Sequence, residues 1–500
     1  MSHHRQVNFA LVVALGLAWA SPHGVMAQDA GGARDGAKEG AREVVESETL
    51  EVATEEKPLA RPKYLNLRYD EDFSYLDGPE GSYVPDMFDP VKNVHLGEDW
   101  RLTLGGEFRF RMESETNKAF GATEPANDTF TIFRWMVHTD LKYKKLFRVF
   151  AQGVVVHDED RDLAPRGIDE NILDLQQLFV DLRVLGEDTP LTLRVGRQDL
   201  QYGKQRLVSP LDWAQTRRRF DGVKLLWEKG DWVVDAWWVK PVVIQRRQSD
   251  RVNEDFDFYG LYLTYKGIPC HGLDVYFLGV DDRANRRNPN GKRGDKSVYT
   301  FGARFWGNGP GIDYETELAG QWGHWAGDTI QAWSWTVDFG YTMDFLPLKP
   351  RIGAGWDMAT GDDDPFDGKV QTFDQLFPLG HAYFGYLDLI GRQNVNAVNV
   401  NLSAWLVPKK LKGAMAYHTF WQNQNEDAVY NAGGRPGRRD VTGKSGREIG
   451  HELDLTFVWK VCSHSDVLVG YSHFWDSDVI RNTGPSEDAD LVYLQYRFRF

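Results

Sequence analysis

From Trp100 to its end the chain alternates. In WRLTLGGEFRFRM, Leu102, Leu104, Phe108 and Phe110 share one parity, and Arg101, Glu107, Arg109 and Arg111 the other. AWSWTVDFGYTMDF sets Trp333, Trp335, Val337, Phe339, Tyr341 and Met343 against Ser334, Thr336, Asp338, Thr342 and Asp344. A strand sends successive side chains to opposite faces, so each such segment has one apolar and one polar face. A helix does not hold a period of two over this length, and a strand buried on both faces does not alternate. The last residues, LVYLQYRFRF, repeat the pattern with Leu494, Tyr496, Phe498 and Phe500 opposite Arg497 and Arg499.

The connections also alternate, in length. Short ones lie near 143–146, 185–190, 228–231, 266–272, 307–311, 346–350, 407–411 and 461–466. Longer polar stretches fall at 113–128, 158–174, 199–219, 241–255, 281–296, 323–329, 360–393, 422–447 and 476–489. Eight short turns and nine longer loops imply about 18 strands with both chain ends on one side. This predicts an all-β, transmembrane antiparallel barrel with short periplasmic turns and long extracellular loops. LVYLQYRFRF is then the closing strand, which removes the open edge of the sheet.

Composition agrees. Aromatic residues reach 13% while charged residues stay at 26%, and beyond the N-terminus no apolar run approaches the ~20 residues of a spanning helix. Residues 1–27 read as an export signal: Arg5, an apolar stretch from Phe9 to Ala20, and a small-x-small site at Val25-Met26-Ala27. No Cys follows to carry a lipid anchor. Residues 28–60, rich in Ala, Glu and Gly, read as a disordered tail, and 61–98 as an ordered but irregular lead-in to a barrel domain over 61–500. Localisation in the outer membrane of a Gram-negative-type cell, among its lipids, follows. A net charge of −15 offers nothing to a nucleic acid. Only Cys270 and Cys462 are present, too few and too far apart for a stapled domain or a zinc site.

Parity then assigns the lumen. Arg109, Arg111, Arg134, Lys142, Arg148, Arg183, Arg194, Arg304, Arg351, Arg497 and Arg499 take the non-lipid face, as do Glu107, Asp140, Asp181, Asp313, Glu315, Glu317, Asp338, Glu452 and Asp454. An Arg or Lys facing lipid at mid-depth costs roughly 2–4 kcal/mol, which favours this placement. A barrel of this size leaves room for an aqueous channel. Arginine forks pair with carboxylates in two-point fashion, so a row of them suits an anionic solute; the plain alternative is that they pair across the wall and keep the pore wet. The loop holding Arg206, Arg217, Arg218 and Arg219 either folds into the channel or meets solvent and anionic lipopolysaccharide. The loop TGDDDPFDGKVQTFDQLFPLGHAYFGYLDLIG is too aromatic to stand free and should pack into the barrel; its Asp362, Asp363 and Asp364 are weak metal candidates without EF-hand spacing. No cofactor motif is present, and HExxH, G-x-S-x-G and a phosphate loop are missing. His138 and Asp140 share a face and are the one pair a barrel enzyme would use.

Three blocks carry a resemblance. DFSYLD, DPVKNVHLG and LTLGGEFRFRME, then LRVGRQDLQYGKQRLVSPLDWAQTRRRFDGVKL, then FDQLFPLGHAYFGYLDL, together with the last strand, resemble the alginate-export family of outer-membrane porins over residues 61–500. The resemblance implies an 18-stranded barrel with an arginine-lined conduit for an anionic uronate polymer, and no enzyme activity. Carried over by motif, Arg109 and Arg111 in GGEFRFR and Arg194 and Arg197 in LRVGRQ become lumen candidates. Arg197 shares the parity of Leu193 and Val195, so it must sit at the rim or follow a bulge. Export would add periplasmic machinery as a partner. A general or uptake porin for small solutes and a barrel enzyme remain alternatives, since one fold serves many functions.

Overall fold

The computed structural model describes residues 61–500 apart from 80, 185 and 188; the predicted signal (1–27) and tail (28–60) lie outside the described residues. Long strands follow one another in chain order. They begin with β1 (Trp100–Thr116), β2 (Asp128–Tyr143), β3 (Phe147–Glu159), β4 (Asn171–Arg183), β5 (Leu191–Gln198) and β6 (Phe220–Lys229). Next come β7 (Trp232–Val243), β8 (Phe256–Ile268), β9 (His271–Arg287), β10 (Arg293–Asn308), β11 (Ile312–Trp325) and β12 (Asp328–Thr342). The set ends with β13 (Arg351–Ala359), β14 (Val395–Val407), β15 (Leu411–Gln422), β16 (Glu448–Lys460), β17 (Ser465–Asp476) and β18 (Ala489–Arg499). Each pairs antiparallel with its neighbours in sequence, and β18 returns to β1, from Glu107 opposite Arg499 to Thr116 opposite Asp490. Gly106 and Phe500 complete the seam by exchanging backbone hydrogen bonds of 3.0 and 3.1 Å. The closed 18-stranded barrel is the one expected, and every strand has two partners.

The alternation is realised on the wall. On β12, Trp333, Trp335 and Phe339 are exposed outward while Ser334 and Thr336 are buried inward. Cross-strand register sets Arg197, Asp221 and Lys240 level on β5–β7, and Asp257, Asp281, Ser297 and His324 level on β8–β11. Lys240 joins the two runs, 3.2 Å from Asp257. This outward polar row is the upper border of the lipid-facing band.

Two expected loops are hairpins instead. β9 and β10 run on as a projecting ladder to a short connection at 288–292, and β11 meets β12 through Ala326 and Gly327 alone. Both turn residues have positive φ, +53° and +85°, the geometry that matches a two-residue turn to strand twist. The polar residues His324 and Asp328, which read as loop, are paired strand residues. The lead-in is irregular as expected except for Val94–Leu96, which pairs with the foot of β1. Its Tyr69 enters the periplasmic mouth and packs edge-on against Phe150 and Phe179, 5.7 and 5.2 Å away. Cys270 and Cys462 are free and exposed.

Two loops occupy part of the lumen. Residues 199–219 and 360–394 turn inward and bond to each other, Ser209 N–H to the Phe377 carbonyl and Phe377 N–H to the Leu207 carbonyl, both 2.9 Å. Leu200, Leu207, Val208, Phe373 and Phe384 from these loops bury against Phe220, Phe258 and Phe420 of the wall. Removing that apolar surface from water is what draws the loops inside.

Candidate functional site

The inserted loop over 199–219 lies against β1, β2 and β18, and basic wall residues hold it there. Arg109 donates to the Asp212 and Ala214 carbonyls, each 2.7 Å away, and to Gln215 Oε1 at 2.8 and 3.1 Å. Its nearest carboxylate oxygen, on Asp212, is 4.0 Å off, so its partners are mostly neutral. Arg134 binds Glu107 through two donors and Asp212 at 2.9 Å. Arg217 and Arg497 approach the Asp212 carboxylate to 3.8 and 3.9 Å. Four arginines therefore surround one carboxylate supplied by the loop. Burial opposes charge on Asp212, but Arg134, Arg217, Arg109 and Arg497 outweigh it and hold its carboxyl well below the usual range. Arg111 binds Gln495 at 2.8 and 3.0 Å and Glu113 at 3.1 Å, and its guanidinium lies 3.8 Å over the Trp213 ring.

The other face of this contact comes from the second loop. Trp213 stacks on His381 with centroids 3.6 Å apart, and Tyr386 stands edge-on to both rings. This tip is fixed to β16 by carboxylates: Leu387 N–H donates to Glu452 at 2.9 Å, and Tyr386 N–H reaches Asp454 at 3.4 Å. Gly385 lies so close that a Cβ would collide with the Glu452 carboxylate, and its φ of +88° is one that side chains rarely adopt. Loop arginines in turn neutralise an acidic wall on β11–β13. Arg206 binds Glu315, Asp338 and, at 3.1 Å, Glu317; Arg392 binds Asp357 at 2.6 Å.

The parity-assigned arginines thus lie inside, in three groups. Arg109, Arg111, Arg134 and Arg497 gather at the first loop, with Glu107 beside them. Arg499 pairs with Asp466 at 2.8 Å and Arg194 with Asp181 through two bonds of 2.7 and 2.9 Å, both near the lead-in. Arg304 and Arg351 serve the acidic side, bound to Glu315 and to Asp313 at 2.9 Å each. Arg183 stands at the periplasmic end of β4, two residues beyond Asp181 on the same face. Arg197 is a correction: it sits opposite Leu178 on the outward face, at the upper end of β5, and pairs with Asp221 at 2.8 and 3.0 Å. No bulge turns it inward, because β4–β5 register is unbroken from Arg183 to Leu178.

The run Arg217, Arg218 and Arg219 folds inward rather than meeting solvent. Arg217 binds Asp199 at 2.8 Å, Arg218 the Ser209 carbonyl at 2.9 Å, and Arg219 binds Gln176 and Asp250. The three candidate metal aspartates do not converge: Asp362 is buried, accepting N–H groups of Asp364 and Gln371, while Asp363 and Asp364 are exposed. Among the described residues no three ligating side chains are placed to hold a metal ion. His138 is buried against Phe150 and makes no bond to Asp140, whose carboxylate is taken by Arg148 through two bonds of 2.7 Å. Asp212 and Trp213 were missed by strand alternation, which says nothing of loop residues; the signal available was an acid–aromatic pair, Asp-Trp, inside a loop with five basic residues and one other acid, Asp199.

The sequence model of the family described as Alginate export matches residues 100–493. No curated protein matches the chain. Solved structures with the same fold include OccD3 (OpdP) of Pseudomonas aeruginosa, 13% identical, with a TM-score of 0.55 over 80% of this chain and 91% of that one. OpdQ of the same organism is 12% identical, with a TM-score of 0.54 over 80% and 97%. OccK10 (OpdN), also from that organism, is 12% identical, with a TM-score of 0.53 over 79% and 99%. The likeness is one of fold: a porin-like barrel of the Gram-negative outer membrane. With most of its length inside the family match and its arginine wall inside that barrel, the chain belongs to the alginate export family.

Proposed function

We propose that this protein is a passive outer-membrane conduit for an anionic, uronate-like polysaccharide, opened by withdrawal of its inward loops. The reading rests on Arg109. It is a buried guanidinium held mainly by carbonyls of a loop, so it becomes an uncompensated cation facing the lumen whenever that loop leaves. The wall residues Arg134 and Arg497 lose Asp212 in the same motion. A passing uronate carboxylate then takes the place of Asp212 beside Arg134, where arginine forks can grip it at two points, and many such contacts in series pass a polymer without trapping it. Family membership supports this cargo, and its passage from cell to medium needs a periplasmic supply of polymer.

Single-channel recording across a salt gradient tests the reading. The expected result is an anion-preferring reversal potential and block by oligouronate, both weakened in R109Q. Cation preference without uronate block overturns it. Equal block by monomeric and oligomeric uronate reassigns the pore to small anionic solutes.

A further inference from the structure

The β9–β10 hairpin rises beyond the outward polar row and is basic in an otherwise acidic protein. From 283 to 296 it carries Arg283, Arg286, Arg287, Lys292, Arg293 and Lys296 against the single acid Asp295. Those directed back over the barrel are neutralised. Arg286 meets Asp282 at 2.6 Å, Lys292 meets Asp328 at 2.6 Å, and Lys296 meets Asp374 at 2.7 Å. The membrane-facing side is different. Arg283 reaches down to Asp257 in the polar row, 2.8 Å away. Above it, Arg287 and Arg293 stand directly opposite each other across the ladder. Like charges placed so are destabilising, and neither has a carboxylate partner among the described residues; Arg293 has one long bond to the Asn285 carbonyl, 3.4 Å. Both are exposed. By alternation Arg293 continues the outward face of Tyr299 and Phe301, the face that touches lipid lower down.

We propose that Arg287 and Arg293 clasp a phosphate on the sugar core of an outer-leaflet glycolipid, with Arg283 as the lower edge of the site. The position selects this occupant over other anions. The pair stands no more than about 20 Å along the strand above the row that ends the apolar band, on the outer side of the wall, where phosphorylated lipid sugars are the neighbours. A phosphate between two guanidinium forks turns their repulsion into two charge-assisted contacts. The lumen opens on the opposite face of this hairpin, so the site is independent of the conduit reading.

The test uses the full chain in detergent micelles and native mass spectrometry with core-length lipopolysaccharide, phosphorylated or stripped of phosphate. The phosphorylated form should be retained, and R287Q/R293Q should weaken retention by about tenfold, with the stripped form binding wild type as poorly. R286Q, which alters the neutralised inner side, should bind as wild type, and heat-dependent migration in SDS gels confirms that each variant is folded. Retention unaffected by the double substitution or by phosphate removal overturns the proposal. So does displacement of the pair's contacts by oligouronate with no lipid bound, which would mark a stop for emerging polymer.

Discussion

Arg134 ties a buried acid, Glu107, and a partly exposed one, Asp212, to one guanidinium. Its replacement by Met leaves Glu107 buried without that partner, and breaking a buried pair costs about 3–5 kcal/mol. R134M should therefore lose its SDS-resistant form at clearly lower temperature than wild type. At Asp362 the sign of the pH effect is set by burial, which, with the nearby Asp427, pushes its carboxyl up to about 6. A raised carboxyl favours the protonated folded form, so the docked state of the loop over 360–394 weakens as pH rises through that value. Amide protection near Gln371, taken relative to the intrinsic exchange rate at each pH, should be higher at pH 5 than at pH 7.5, and D362N should flatten the difference. Residue faces were legible wherever a strand carried them, as Arg109, Arg111 and Arg134 show. Asp212 was not, because its role depends on a loop path that no period encodes, and Arg197 was misplaced by analogy although its own parity pointed outward.

Strand count and closure followed from apolar alternation and connection length, since lipid on one face and polar filling on the other demand both. Polar content alone misled at 323–329, where Trp325 and Asp328 are a strand pair and only Ala326 and Gly327 turn. That turn depends on its second residue: a β-branched side chain at a φ of +85° is strained by about 1–2 kcal/mol. G327V should fray the β11–β12 tip, visible as faster amide exchange at His324 and Trp325, with the rest of the barrel unchanged. The aromatic density of the loop over 360–394 correctly marked it as packed. The basic run at Arg217 did not reveal that it would find Asp199 and backbone carbonyls inside the barrel rather than water.

The molecule as a whole is a hydrogen-bonded cylinder enclosing two leaves anchored to strands three apart in the wall, one to β1 by Arg109 through carbonyls, the other to β16 by Glu452 and Asp454 through N–H groups. They meet through the Trp213–His381 stack and through backbone bonds such as Ser209 to Phe377. None of those contacts belongs to the ladder that closes β18 on β1. W213A should therefore raise single-channel conductance while the temperature of barrel unfolding barely moves, since local opening and global unfolding draw on different contacts. A fall in both together would show that the leaves brace the wall. Strength of the vessel and readiness of the passage are thus separate quantities, each open to change by mutation without loss of the other. A descendant of this protein can conduct more freely and keep a barrel that unfolds at the same temperature as its ancestor's.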